Sequence, residues 1–526
     1  MAAEVDARTL KDWLSDGAEI ALLDVREHGQ YGEGHPFFAV PLPYSRFELG
    51  LSDLVPNPRA RLVLCDGGDG IAVRAATRAE ALGYRGVRIL AGGADAWRQA
   101  GYTLYAGVNV PSKTFGELVE QRRHTPRVTA SQLQAMREAG EDLVIVDGRP
   151  FSEYRNMNIP GGICCPNGEL AWRIKEIAPD PRTTVVVNCA GRTRSIIGAQ
   201  TLIDFGVPNP VVALENGTQG WFLAGLEVEK GASRRYPDAM PRGAGVLAAH
   251  ARSLAGQHGV AWVAPHTAHG WLADPARTTY LFDVRTPEEF AADGVSGFVH
   301  APGGQLIQAT DQWVGVKGAR LVLLDGELVR APVVAAWLRQ LGHEAHVLDA
   351  DVAAARALAW TRPAPPAPAA LTAIASADAA PMIAQGTARA IDLRPGMAYR
   401  KGHIAQAVWS IRPRVVAAAG TAETLVLVAD DPAIATLAAR DLAEVGHQDI
   451  RLLAGGFAAW EAANLPTEIS PKIPSDADCI DFLFFTARRH EGDPDAARKY
   501  LAWEQGLLAQ LDDQERGVFF SLAPRA

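Results

Sequence analysis

Four times along the chain an apolar run ends in the triplet Asp-x-Arg: at Asp24 and Arg26, Asp147 and Arg149, Asp283 and Arg285, and Asp392 and Arg394. Short uninterrupted apolar runs predict strands buried on both faces. In the second unit Val185, Val186 and Val187 predict another such strand. After it Ile196, Ile197, Ala199, Leu202, Ile203 and Phe205 recur at helical spacing, and Gly206 predicts the helix stop. Each unit closes on an apolar run and a tryptophan, at Trp97, Trp221, Trp360 and Trp460; a glycine-rich turn precedes the tryptophan in all but the third.

The units start 109 to 136 residues apart. They predict four tandem α/β domains, at 1–105, 128–230, 246–361 and 371–469, each a small, mainly parallel sheet flanked by helices. Residues 105–127 and 231–245 read as connectors, and the proline-rich stretch 362–370 as a semi-rigid spacer. In the extension 470–526, Leu501, Leu507, Leu508 and Leu511 stand at near-helical spacing and predict a docking helix, placed on a domain or on a second subunit.

Composition narrows the class. At 526 residues, with 48% hydrophobic and 21% charged residues, the chain reads as several ordinary globular domains. A formal charge of −9 argues against nucleic-acid or anionic-membrane partners. No apolar segment has the length of a membrane span, and the acidic start lacks the basic and apolar regions of a signal peptide. Five cysteines without a Cys-x-x-Cys pair predict neither a disulfide framework nor a structural metal site, and a reducing cytoplasm is the expected setting. No cofactor is expected.

The chemistry concentrates between the valine strand and its helix, in Cys189, Ala190, Gly191, Arg192, Thr193, Arg194 and Ser195. A tight loop entering a helix aims backbone N–H groups at one spot, and the helix dipole adds positive potential. There a cysteine is expected to have a lowered pKa and to act as a nucleophile toward electrophilic sulfur. Buried packing is the common alternative for a free cysteine, and the nearby arginines weigh against it. Cys189 lies 42 residues after Asp147; the same offset gives Asp66 in the first unit and Asp325 in the third. Aligning Gly446 with Gly206 gives Ala429 in the fourth, so the second unit alone has a cysteine at this position.

The chain resembles the rhodanese family of sulfurtransferases. The resemblance rests on Asp147-Gly148-Arg149 with Glu153-Tyr154, Ile159 to Gly162, the Cys189 loop and Asn216-Gly217 to Trp221. It spreads over about 460 residues as four copies, with the full motif set only in residues 128–230. The resemblance implies a double displacement: Cys189 takes sulfane sulfur from an anionic donor, such as thiosulfate or 3-mercaptopyruvate, and a thiol acceptor, small molecule or protein, removes it. The loop amides from Ala190 to Ser195 would hold the persulfide, and Arg192 and Arg194 the donor's anionic group. Asp147 and Arg149, shared by all copies, are expected to order the loop from behind. Cys164 and Cys165 are candidates for a sulfur relay or for packing, and Glu169 and Trp172 for the acceptor side.

Cys65 precedes an acidic loop that would repel an anion, and Cys479 reads as a packing residue. Two other functions stay open. One is a non-catalytic scaffold for sulfane sulfur or a partner; the other is a cysteine phosphatase, which the Cys-x4-Arg spacing disfavours because phosphatases use Cys-x5-Arg. The degenerate copies could also serve a homo-oligomer interface.

Overall fold

In the computed structural model, residues 2–361, 370–490 and 492–520 are described; most of the proline-rich spacer therefore lies outside the described residues. Each of the four repeats contributes a five-stranded sheet whose internal pairings are all parallel. In the second repeat the spatial order is Arg127–Val128, Val211–Leu214, Thr184–Asn188, Leu143–Asp147 and Ile163–Cys164. The central strands are buried along almost their whole length, because helices cover both faces. The helix Thr193–Phe205 follows the valine strand and ends where Gly206, at φ +79°, sends its N–H to the Ile203 carbonyl.

The repeats interlock. Val316–Lys317 of the third pairs antiparallel with Ala21 and Ile20, adding an edge strand to the first sheet. Arg412 of the fourth repeat bonds Glu48 of the first and Asp441 of its own. The helix Arg330–Gln340 of the third repeat is buried on every side and gives Trp337 Nε1–H to Thr201 of the second at 2.8 Å. One apolar cluster consequently joins Phe115, Trp172, Ile196, Leu306, Trp337, Leu507 and Phe519.

The stretch expected to be a polar connector between the first two repeats contains a helix, Val110–Arg123. Phe115, Leu118 and Val119 stand at i, i+3 and i+4 and bury, while Lys113 and Glu117 bury with them because each meets an opposite charge. The C-terminal extension is helical over Pro494–Gly506, includes Leu501, and then breaks into shorter turns carrying the buried Leu507 and Leu511. It docks within the same chain, against the Val110–Arg123 helix and the Cys189 loop.

Candidate active site

Strand register fixes the comparison between repeats. Asp147 pairs with Asn188, so Cys189 is the first residue beyond the strand. The equivalent pairs are Asp24 with Cys65, Asp283 with Leu324 and Asp392 with Val428. Asp66, Asp325 and Ala429 therefore occupy the cysteine position, as the sequence spacing indicates. The two aspartates show what this position holds. Asp66 accepts from the Gly68 and Ala72 amides at 2.8 and 2.9 Å. Asp325 accepts from Leu328, Val329 and Ala331 at 2.8, 2.8 and 3.0 Å. The loop is a cradle of backbone donors with a carboxylate seated in it. By position, the residues that correspond to these amide donors in the second repeat are Gly191, Arg192, Thr193 and Ser195.

Cys189 is 2% exposed, and the Ser195 hydroxyl donates to its sulfur at 3.0 Å. Behind it, the Thr218 amide and hydroxyl both donate to the Cys189 carbonyl, at 2.8 and 3.0 Å. Gly217, at φ +55°, makes this approach possible: a Cβ there would lie 2.3 Å from the same carbonyl oxygen. The first and fourth repeats repeat the device with Gly93 against Asp66 and Gly456 against Ala429. The third lacks it, and there the indole of Trp360 turns to the Ala355 carbonyl, five residues back, whereas Trp97, Trp221 and Trp460 donate to a carbonyl six residues ahead.

Asp147 and Arg149 form a buried two-pronged pair at 2.9 and 2.7 Å, and Arg149 also donates to the Met157 carbonyl. Asn188 links this pair to the loop, donating to Asp147 at 3.0 Å and to Thr218 at 3.2 Å. The Asp-x-Arg clasp recurs in all four repeats, so its primary work is holding the chain reversal after the strand.

The two loop arginines diverge. Arg192 is buried and turned toward the connector helix, where it bonds Glu117 at 2.7 and 2.9 Å, and Glu120. The expected donor contact is thus replaced by a structural tie, because burial of this guanidinium requires carboxylate partners. Arg194 instead lines a cavity of about 600 Å³ that opens beside Ala190. Glu153 grips it at 2.8 and 2.7 Å; burial works against its charge, and this pair more than offsets the cost.

The rest of the cavity wall comes from outside the repeat: Asn109 and Lys113 from the connector, Gln305 and Gln308 from the third repeat, Arg489, Tyr500 and Trp503 from the extension. Tail and loop are bonded directly. Glu504 accepts from the Thr193 hydroxyl at 2.7 Å and pairs with Lys113, which also donates to Tyr500. Burial disfavours the Glu504 charge, but Lys113 and Thr193 outweigh it and hold its pKa below the usual range. Sequence reasoning missed Glu117, Lys113 and Glu504, whose one local signal is charge on otherwise apolar helix faces.

The other named residues lie elsewhere. Cys165 packs in the core of the second repeat and Cys164 beside Tyr154. Burial pushes Cys164 up to about 12 and Cys165 well above its ordinary value, so both are packing thiols in this conformation. Trp172 is buried in the inter-repeat core, and Glu169 pairs with Arg330 at 2.9 Å, so neither reaches the cavity. Cys65 is sealed beneath Asp66. Cys479 packs against Gly396, where burial and Asp481 push it up to about 12. Among the described residues no helix is long and apolar enough to cross a membrane.

Comparison with known proteins bears on the family and the fold. The family model described as Rhodanese-like domain matches residues 6–100, 129–224 and 376–463. A thiosulfate sulfurtransferase from Pseudomonas aeruginosa is 41% identical over 98% of this chain and 99% of its own, with a TM-score of 0.90. The HTH-type transcriptional regulator Rv0324 of Mycobacterium tuberculosis is 37% identical over 111 residues, 21% of this chain. The chain spans about half of that regulator, 48% of its length.

Proposed function

Because the chain belongs to the rhodanese family, we propose that it is a sulfurtransferase in which Cys189 carries sulfane sulfur from an anionic donor to a thiol acceptor. The observation that carries this reading is the shared cradle. Where two sister repeats seat an aspartate carboxylate on backbone amides, the second seats a sulfur that also receives the Ser195 hydroxyl. Such a ring of donors favours an anionic sulfur, either the attacking thiolate or the persulfide it becomes.

In the first half-reaction the Cys189 thiolate attacks the outer sulfur of thiosulfate. The new Sγ–S bond forms as the S–S bond of the donor breaks, and sulfite leaves with the electron pair. The Gly191, Arg192, Thr193 and Ser195 amides stabilise the anionic persulfide, with Ala190 shaping the loop's open side. Arg194, held by Glu153 in the cavity lining, orients the donor's oxyanion. Asp147 and Arg149, acting through Asn188, hold the loop in register. A donor of the 3-mercaptopyruvate type would use the same positions; thiosulfate comes first because the Pseudomonas aeruginosa protein is named for it.

The test is sulfur transfer from thiosulfate in purified variants. Cys189→Ser is expected to abolish turnover and Cys65→Ser to retain it. Equal loss in both would overturn the assignment, and absence of turnover in the unsubstituted protein would favour a binding scaffold.

A further inference from the structure

Thiosulfate has five heavy atoms, and at the roughly 30 Å³ that one water molecule claims in the liquid it needs about 150 Å³. The cavity beside the Cys189 loop, at about 600 Å³, is several times larger and falls in the range of organic ligands. Its charges are unevenly compensated. Arg194 is paired with Glu153, and Lys113 with Glu504. Arg489 bonds only neutral oxygens of Thr486, at 2.9 and 3.0 Å, and lies over the Tyr500 ring at 4.7 Å. Among the described residues it is the lining arginine without a carboxylate partner. A free guanidinium asks for a carboxylate.

We propose that the extension and the third repeat build an acceptor subsite for an amino-acid- or short-peptide-type thiol, its carboxylate on Arg489. The inference rests on the persulfide chemistry of Cys189. In the second half-reaction the acceptor RSH and the anionic persulfide share one proton and one negative charge. The RS–S bond forms, and the Sγ–S bond breaks with its electron pair passing to Cys189 Sγ. The proton ends on RS–SH. The third repeat and the extension thereby acquire a role as substrate-binding walls.

The experiment is single-turnover discharge of the intact protein. Cys189 is loaded with thiosulfate, excess donor is removed, and loss of the added sulfur is timed by mass spectrometry. Glutathione is compared with 2-mercaptoethanol, which has neither carboxylate nor amide, at equal thiolate concentration. The unsubstituted protein is expected to favour glutathione at least about tenfold, the range of one charge-assisted pair. Arg489→Gln should remove most of that preference, and Arg489→Lys should restore part of it. Failure of loading defeats the persulfide reading itself. Normal loading with no preference for glutathione, or a preference untouched by Arg489→Gln, overturns the subsite.

Discussion

The Asp325 carboxylate accepts a hydrogen bond from the Ala331 amide at 3.0 Å, spanning the loop that in the second repeat runs from Cys189 to Ser195. The third repeat thus fills its own cradle with a carboxylate. Replacing Asp325 with Ala would strand three amides, two of them buried, and is expected to cost about 3 kcal/mol, read as a lower denaturation midpoint with an unchanged denaturant slope. The converse exchange, Cys189→Asp, should abolish transfer while leaving the thermal midpoint at or above that of the unsubstituted protein. A marked fall in midpoint would show that the second cradle does not accept an anion.

The tie between extension and loop gives a paired test. Lys113→Met leaves Glu504 buried without its cation and is expected to destabilise by about 3–5 kcal/mol. Lys113→Met combined with Glu504→Gln should recover a large part of that loss. If the double variant is as unstable as the sum of the singles, measured by chemical denaturation, the two side chains are not coupled.

Gly217→Ala adds a Cβ 2.3 Å from the Cys189 carbonyl at a left-handed backbone position. The expected result is at least a tenfold fall in persulfide formation in the protein that remains folded, because a displacement of about 1 Å at a reacting atom has that order of effect. Unchanged loading kinetics would mean that this turn does not position the sulfur.

The repeats and the place of Cys189 just beyond its strand were legible because their signals are local. Asp-x-Arg, the apolar run and the terminal tryptophan are each read within a few residues, and the offset of 42 residues located Asp66 and Asp325 correctly. The third repeat lies outside the family-model matches, having lost the closing glycines, yet its strand order is that of the others. What the sequence concealed is long-range. Glu117 stands 75 residues from Arg192, and Glu504 stands 311 from Thr193. No local pattern tells an arginine that meets a substrate from one that meets a distant glutamate. The connector helix was masked similarly, since its buried Lys113 and Glu117 make an interior face look solvated.

Burial also leaves a pH signature. The Asp311 carboxyl, whose Oδ1 has no hydrogen-bond partner, is pushed up to about 7 by desolvation, and Glu27 is pushed up to about 7 by burial, despite its bonds to Ser45. Both bind a proton more tightly folded than unfolded. Their contribution is therefore fully present below the unfolded values near 4 and is lost as pH rises through about 7. Relative to Asp311→Asn, the thermal midpoint of the unsubstituted protein should fall between pH 5 and pH 8. A difference between the two that does not change over this interval would contradict the assignment.

Cys189 alone among the five cysteines is expected to carry sulfur. The decisive experiment is intact-protein mass spectrometry after brief exposure to thiosulfate, followed by peptide mapping. The expected result is a gain of one sulfur on the peptide containing Cys189, absent in Cys189→Ser. A gain on a peptide carrying Cys65, Cys164, Cys165 or Cys479, or no gain from any sulfane donor, would contradict it.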